Sequence, residues 1–143
     1  EVIKSNKNLK NTYNDIKLLI DYDLITVYDK KNINLELVYD EIIMSIIGIP
    51  ANSYGISIKV FKNNNINKLK LSFDCKLEKE EETNLRIYTG NKWIQLEEFL
   101  SSSYKMFTIY EEFNFNNMSR WRISTTSKTV GQKIYIKNLK FTY

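Results

Sequence analysis

Histidine is absent from this 143-residue chain, and cysteine occurs once, at Cys75. Without histidine there is no Ser-His-Asp or Cys-His relay and no zinc site of the usual nitrogen and sulfur type, and a single cysteine cannot close an intramolecular disulfide. A reactive thiolate would need a basic neighbour, so Cys75 reads as a small buried hydrophobe. The chemistry that remains belongs to carboxylates, guanidinium groups and aromatic rings. The dipeptides Glu97-Glu98 and Glu111-Glu112 are of the type that serves as acid and nucleophile in glycoside hydrolysis. Adjacent residues on a strand point to opposite faces, however, so neither dipeptide aims both carboxyls at one bond, and the chain is expected not to be an enzyme. Asp21, Asp23, Asp29 and Asp40 could lend oxygens to a structural calcium ion, although no D-x-D-x-D-G loop occurs; no other cofactor is expected. Ten tyrosines and two tryptophans form the richest chemical group. A flat, exposed ring covers the apolar C–H face of a sugar while polar neighbours bond its hydroxyls.

Charge narrows the range of partners. Lysine and arginine together number 21 against 17 acidic residues, a net charge of +4. Arginine contributes only Arg86, Arg120 and Arg122, and the lysines are scattered through the chain. Nucleic-acid binders concentrate charge on one face and favour arginine, so no nucleic-acid partner is expected. The acidic run Glu78-Lys79-Glu80-Glu81-Glu82 reads as a solvated loop. No apolar run approaches the ~18 residues of a membrane helix, and EVIKSNKNLK lacks the core of a signal peptide; membrane insertion is not expected. The absent initiator methionine leads to the expectation that further domains of a longer parent chain accompany this one.

The elements that position these groups are strands. Leu69, Leu71, Phe73, Cys75 and Leu77 alternate with Lys68, Lys70, Ser72, Asp74 and Lys76, and five matches to period two assign one face to a core. A hairpin follows, with Asn84–Thr89 and Lys92–Leu96 joined through Gly90-Asn91. Phe107, Ile109, Phe113 and Phe115 predict another strand, bulged around Glu111-Glu112. Trp121 and Ile123 alternate with Arg120, Arg122 and Ser124. Ile134 and Ile136 give way to Leu139, Phe141 and Tyr143, a change of parity at Lys137-Asn138 that a β-bulge explains. Earlier strands are predicted at Leu24–Tyr28, Asn34–Tyr39, Ile42–Ile47 and Tyr54–Phe61. Residues 1–22 read as a lead-in or a short helix, from the spacing of Leu9, Tyr13, Ile16, Leu19 and Ile20, and residues 23–143 as a single domain. About ten short strands without long intervening helices predict an all-β, antiparallel two-sheet sandwich.

The same parity sorts the candidate binding residues. Trp121 shares the face of Ile123 and is assigned to the core. Tyr88 and Arg86 lie opposite Leu85 and Ile87, Arg120 and Arg122 opposite Trp121, and Tyr110 opposite Phe107 and Ile109. If these strands share a sheet, Tyr88, Tyr110, Arg86, Arg120 and Arg122 line one solvent-facing surface. Trp93 follows the turn and either caps the core or offers its ring to a ligand.

Three segments carry a resemblance to a known family. LKLSFDCKLE resembles the Y-x-L-S-F-x-x-K strand of the jelly-roll carbohydrate-binding modules, with Leu69 in place of the aromatic. WIQLEEFLSSSYKMFTIYEEFNF resembles the stretch in which a tryptophan precedes their next strand, and here Tyr104 stands in that position. GQKIYIKNLKFTY resembles their closing strand, with Lys137 replacing the usual aspartate. The similarity spans about Tyr54 to Tyr143. It implies a galactose-binding-like sandwich of the kind appended to glycosidases, phage tail proteins and toxins. It also implies a non-catalytic module that holds a polysaccharide or cell-surface glycan, on a protein that is extracellular, surface-bound or part of a virion. The rival expectation is a structural or oligomerisation sandwich domain without a sugar site. Far-UV circular dichroism is expected to be β-dominated, and helix near the globular average of roughly a third would contradict the sandwich.

Overall fold

The computed structural model describes residues 16–49, 54–61, 68–112 and 118–142. A short helix, α1 (Ile16–Asp21), precedes β1 (Ile25–Tyr28), β2 (Ile33–Val38), β3 (Glu41–Ile46), β4 (Tyr54–Phe61) and β5 (Lys68–Leu77). Then come β6 (Leu85–Tyr88), β7 (Trp93–Gln95), β8 (Lys105–Glu112), β9 (Met118–Thr125) and β10 (Lys133–Thr142). The strands form two five-stranded sheets, a first in the order β1-β4-β9-β6-β7 and a second in the order β2-β3-β10-β5-β8. Every pairing is antiparallel. The predicted strands are all present, with ends that differ by a residue or two, and the all-β two-sheet sandwich is observed. Of the lead-in or short helix expected over residues 1–22, a helix is seen at Ile16–Asp21, residues 1–15 lying outside those described, as do Phe113 and Phe115.

Alternation builds the core. Leu69, Leu71, Phe73, Cys75 and Leu77 are all buried, while their neighbours along β5 reach solvent. From the first sheet, Ile56, Ile58, Val60, Leu85, Ile87, Trp121 and Ile123 enter the same cluster. Trp121 of β9 meets Phe141 of β10 edge-on, ring centres 5.6 Å apart at 83°, and so joins the two sheets directly. Edge-to-face contact suits the ring quadrupoles and adds to the burial of two large side chains. Phe73 and Phe107, directly opposed on β5 and β8, stack with centres 5.7 Å apart. Burial also pushes the Cys75 thiol up from its ordinary range, the behaviour of an inert core residue.

Two local devices keep the inward faces inward. The pairing of β10 with β5 shifts register between Lys137 and Lys140, so Ile134, Ile136, Leu139 and Phe141 all remain buried. Asn138 takes the left-handed conformation there (φ 55°) and donates to Asp74 Oδ2 at 2.6 Å; asparagine tolerates that backbone better than most residues. Among the described residues, which on this strand end at Glu112, the bulge predicted around Glu111-Glu112 is not seen. Lys68, Leu69 and Lys70 pair in unbroken register with Glu112, Glu111 and Tyr110. Glu111 therefore sits on the inward parity, where its carboxylate meets Lys92 at 3.4 Å across the open edge of the sandwich.

The acidic run is the exposed loop expected of it, with one of its members, Glu81, half-buried and anchored. Glu81 accepts hydrogen bonds from Ser127 Oγ at 2.7 and 2.8 Å and from Gln132 Nε2 at 2.9 Å, and Ser127 and Gln132 are fully buried. Gln132 also donates to the Lys79 carbonyl and accepts from the Lys79 amide. Glu80 accepts from the Ser102 hydroxyl at 2.7 Å. Glu78 accepts from Tyr135, and that hydrogen bond, before any effect of burial or charge, pushes the phenol up to about 12. A buried polar group stripped of its acceptor costs the desolvation of that group, about 1–3 kcal/mol. Glu81→Ala, which takes one acceptor from Ser127 and one from Gln132 while Gln132 keeps its bonds to Lys79, is expected to destabilise the domain by about 1–3 kcal/mol in chemical denaturation, whereas Glu82→Ala at an exposed position of the same run should change stability by no more than about 0.5 kcal/mol.

Candidate functional site

The outward face of the first sheet gathers five of the six residues expected to bind a ligand. Its base is the β6–β7 hairpin. Gly90 turns the chain with φ 86°, and a Cβ there would lie 1.8 Å from Ser119 Oγ, so only glycine fits. The Thr89 amide donates to the Lys92 carbonyl at 3.0 Å and closes the turn. Register then sets Tyr88 opposite Trp93, and Arg86 opposite Gln95. On the other side of β6, Tyr88 faces Arg122 and Arg86 faces Ser124. All these residues share the parity opposite Leu85, Ile87, Trp121 and Ile123, which are buried.

The side chains interleave rings and cations. Tyr88 and Trp93 lean together with centres 5.1 Å apart at 42°. The Arg86 guanidinium lies 5.0 Å from the Trp93 ring centre, and that of Arg122 lies 5.6 Å from the Tyr88 ring centre. These distances fall within the range of cation–π attraction, which holds the guanidiniums over the rings. The Arg86 Nε is buried with no hydrogen-bond partner. Trp93 remains 37% exposed, while Trp121 on the inward side is 1% exposed. Arg120, exposed, extends the face along β9 and stands opposite Lys59 of β4. Between them and Arg86 lies a floor of small residues, Gly55, Ser57 and Ser124, all buried beneath their larger neighbours.

Tyr110 does not belong to this surface. It lies on β8, the edge strand of the second sheet, 71% exposed and opposite Lys70 on that sheet's outer face. Its parity is outward as expected, but the two strands do not share a sheet, which is the condition that would have joined it to Tyr88. Trp93 presents its ring outward rather than capping the core. Lys59 went unrecognised in the sequence, although its alternation with Ile58 and Val60 is plain; what alternation could not supply is that β4 lies beside β9.

Other groups singled out in the sequence have local partners. Glu98 pairs with Lys105 and Glu111 with Lys92, while Glu112 points to the opposite face from Glu111. Asp21 pairs with Lys17 at 2.9 Å, and Asp29 accepts from Asn32 at 2.9 and 3.0 Å. Among the described residues no group of three or more Cys, Asp and Glu side chains is disposed to hold a metal ion. Lys137, which stands where the resembled family carries aspartate, places its ammonium 3.9 Å from the Tyr104 ring centre. A separate concavity of about 220 Å³ lies between α1 and β2, lined by Ile20, Leu35, Leu37, Glu36 and the Lys17–Asp21 pair, without an aromatic ring. Among the described residues no helix is long and apolar enough to cross a membrane.

No family model matches this sequence, and no curated protein matches it. Solved structures do. The chain is similar to a family 4 carbohydrate-binding module at 13% identity and TM-score 0.55, over 87% of this chain and 82% of that one. It is similar to a xylan-binding family 22 module from Paenibacillus barcinonensis at 9% identity and TM-score 0.58, over 82% of this chain and 84% of that one. A ligand-recognition variant of a family 29 carbohydrate-binding module matches at 16% identity and TM-score 0.55, over 85% of this chain and 82% of the other. An arabinose-bound α-L-arabinofuranosidase matches at 10% identity and TM-score 0.59, over 90% of this chain but only 24% of the enzyme. The fold is thus the two-sheet jelly-roll sandwich seen in carbohydrate-binding modules. The two tryptophans should separate in solution: iodide is expected to quench one emission component, and Trp93→Phe should abolish that component. Quenching that survives in Trp93→Phe would show that Trp121 is the exposed ring.

Proposed function

We propose that this chain is a non-catalytic glycan-binding module, and that the outward face of its first sheet is the binding surface. The observation that carries the reading is the interleaving of Tyr88 and Trp93 with Arg86 and Arg122 on one sheet face. Rings supply stacking for the apolar faces of sugars, and guanidiniums donate paired hydrogen bonds to hydroxyls. The solved structures that share the fold add support, since three of them are carbohydrate-binding modules and one is described as xylan-binding. The absence of histidine and the local pairing of Glu98 and Glu111 favour binding over catalysis. Such a module would tether a larger extracellular, surface or phage tail protein to a polysaccharide.

The second reading, a packing or oligomerisation domain, draws on the exposed Ile47, Ile49 and Val130. The two readings separate in one set of measurements, glycan affinity and thermal unfolding of the parent, Tyr88→Ala and Trp93→Ala. Each substitution is expected to weaken binding at least about tenfold, or ~1.4 kcal/mol, while costing about 1 kcal/mol or less in stability as a partly exposed site. A glycan held as tightly by both variants as by the parent would put the site elsewhere. Failure of the parent to bind any glycan, together with self-association lost in Ile47→Ser, would favour the packing role.

A further inference from the structure

β8 closes one side of the second sheet, and among the described residues no strand pairs with its far side. Edges of this kind are ordinarily kept short, charged or broken by a bulge, because a row of free amide and carbonyl groups recruits another strand. The other three edges follow that rule. β1 and β7 have four and three residues, and β2 carries the exposed Glu36 near its middle. β8 has eight residues, in unbroken register with β5 and without proline. Its outward positions hold Met106 and Tyr110, 70% and 71% exposed, on either side of Thr108. Its inward charges have opposite sign, Lys105 three residues before Thr108 and Glu111 three residues after it.

We propose that β8 is a self-association edge, which pairs antiparallel with β8 of a second copy of this chain about a two-fold axis through Thr108. Directly opposed residues of an antiparallel pair share a face, so a two-fold pairing that continues the sheet must centre on a residue. Centred on Thr108, it sets Lys105 opposite Glu111 of the second copy, Met106 opposite Tyr110, and Phe107 opposite Ile109. Centred on Phe107 it would set Lys105 against Ile109, and centred on Ile109 it would set Phe107 against Glu111. Opposite charges and apolar pairs across strands stabilise a sheet, and methionine sulfur suits a ring edge. Lys105 already holds Glu98, and Glu111 holds Lys92, within one chain. The pairing therefore joins two existing ion pairs into a row of alternating sign and calls on no free charge. One residue further along, the exposed Glu112 comes opposite Tyr104 of the second copy, whose ring carries the Lys137 and Lys76 ammoniums at 3.9 and 4.9 Å. Each end of β8 complements its own other end, which singles out a second copy over the strand of a different protein.

The axis stands perpendicular to the second sheet, so the two five-stranded sheets join into one and both first sheets lie on its other side. β7 runs beneath β8, where Lys92 meets Glu111. The Trp93 hairpins of the two copies then approach the axis with their outer faces turned the same way. The pairing does not depend on the glycan-binding reading. On that reading, the dimer presents two sites to one polysaccharide, and avidity raises affinity by about 10²–10⁴ over a single site.

The test is sedimentation of the domain, with variants at the axis. The parent is expected to sediment with twice the mass of one chain. Thr108→Lys, at an exposed position, sets like charges face to face on the axis and should give a folded monomer. Thr108→Cys brings two thiols within reach of a disulfide, since opposed Cα atoms lie about 4.5–5.5 Å apart. Mild oxidation is expected to link that variant as a dimer. Met106→Cys should stay unlinked, because its two thiols stand four residues apart along the pairing, about 14 Å, and the native Cys75 is buried. A parent that is monomeric at every concentration would overturn the proposal, as would a dimer that persists in Thr108→Lys. Linking of Met106→Cys as readily as Thr108→Cys would overturn the pairing about Thr108. A dimer lost in Thr108→Lys and linked in Thr108→Cys, yet binding no glycan, would overturn the glycan reading and leave the edge pairing standing.

Discussion

Trp121 is the residue through which the two sheets hold each other. It is the largest fully buried side chain, and its ring meets Phe141 across the gap between β9 and β10. Because side chains alternate along a strand, seating Trp121 and Ile123 inward fixes Arg120 and Arg122 outward. The same argument runs along β6, where burial of Leu85 and Ile87 sends Arg86 and Tyr88 to solvent. The chemistry of the outer face is thus imposed by the packing of the inner one. A slip of one residue in either strand would bury guanidinium groups and expose the core, at a cost no surface ligand could offset.

Keeping that parity over ten strands requires corrections at particular places. Asn138 absorbs one extra residue in β10 and ties the bulge to Asp74, which lets the last four apolar positions stay inside. Gly90 allows a turn so tight against Ser119 that Trp93 returns directly beside Tyr88. At the far end of the sandwich, Glu81 anchors the connection after β5 to the connection before β10 through Ser127 and Gln132. These polar contacts add less to the core than burial does, but they fix where the strands begin. The rings and cations of the outer face inherit their spacing from those starting points.

Much of this is legible in the sequence because strand periodicity is a short-range signal. The alternation Leu69-Leu71-Phe73-Cys75-Leu77 names its own inward face, and the broken parity at Lys137-Asn138 announces the bulge. The inward assignment of Trp121 and the outward assignments of Arg86, Tyr88 and Arg122 follow from the same rule and are observed. Strand neighbours are a long-range property, and there the rule is silent. Tyr110 alternates as outwardly as Tyr88 does, yet β8 closes the other sheet. Lys59 could not be joined to the arginines without knowing that β4 lies against β9. The anchoring of Glu81 within the otherwise exposed acidic run was hidden for a related reason: its partners Ser127 and Gln132 lie some fifty residues away.

The central claim is that the ligand meets the outward face of the first sheet. The most direct measurement is a two-dimensional amide and indole NMR titration of the domain with a soluble glycan that it binds. The account predicts that the Trp93 indole N–H and the amides of Arg86, Tyr88 and Arg122 move together and saturate, while Tyr104, Tyr110 and Lys137 stay fixed. Shifts confined to the outer positions of β5, β8 and β10, with the Trp93 indole unmoved, would contradict it.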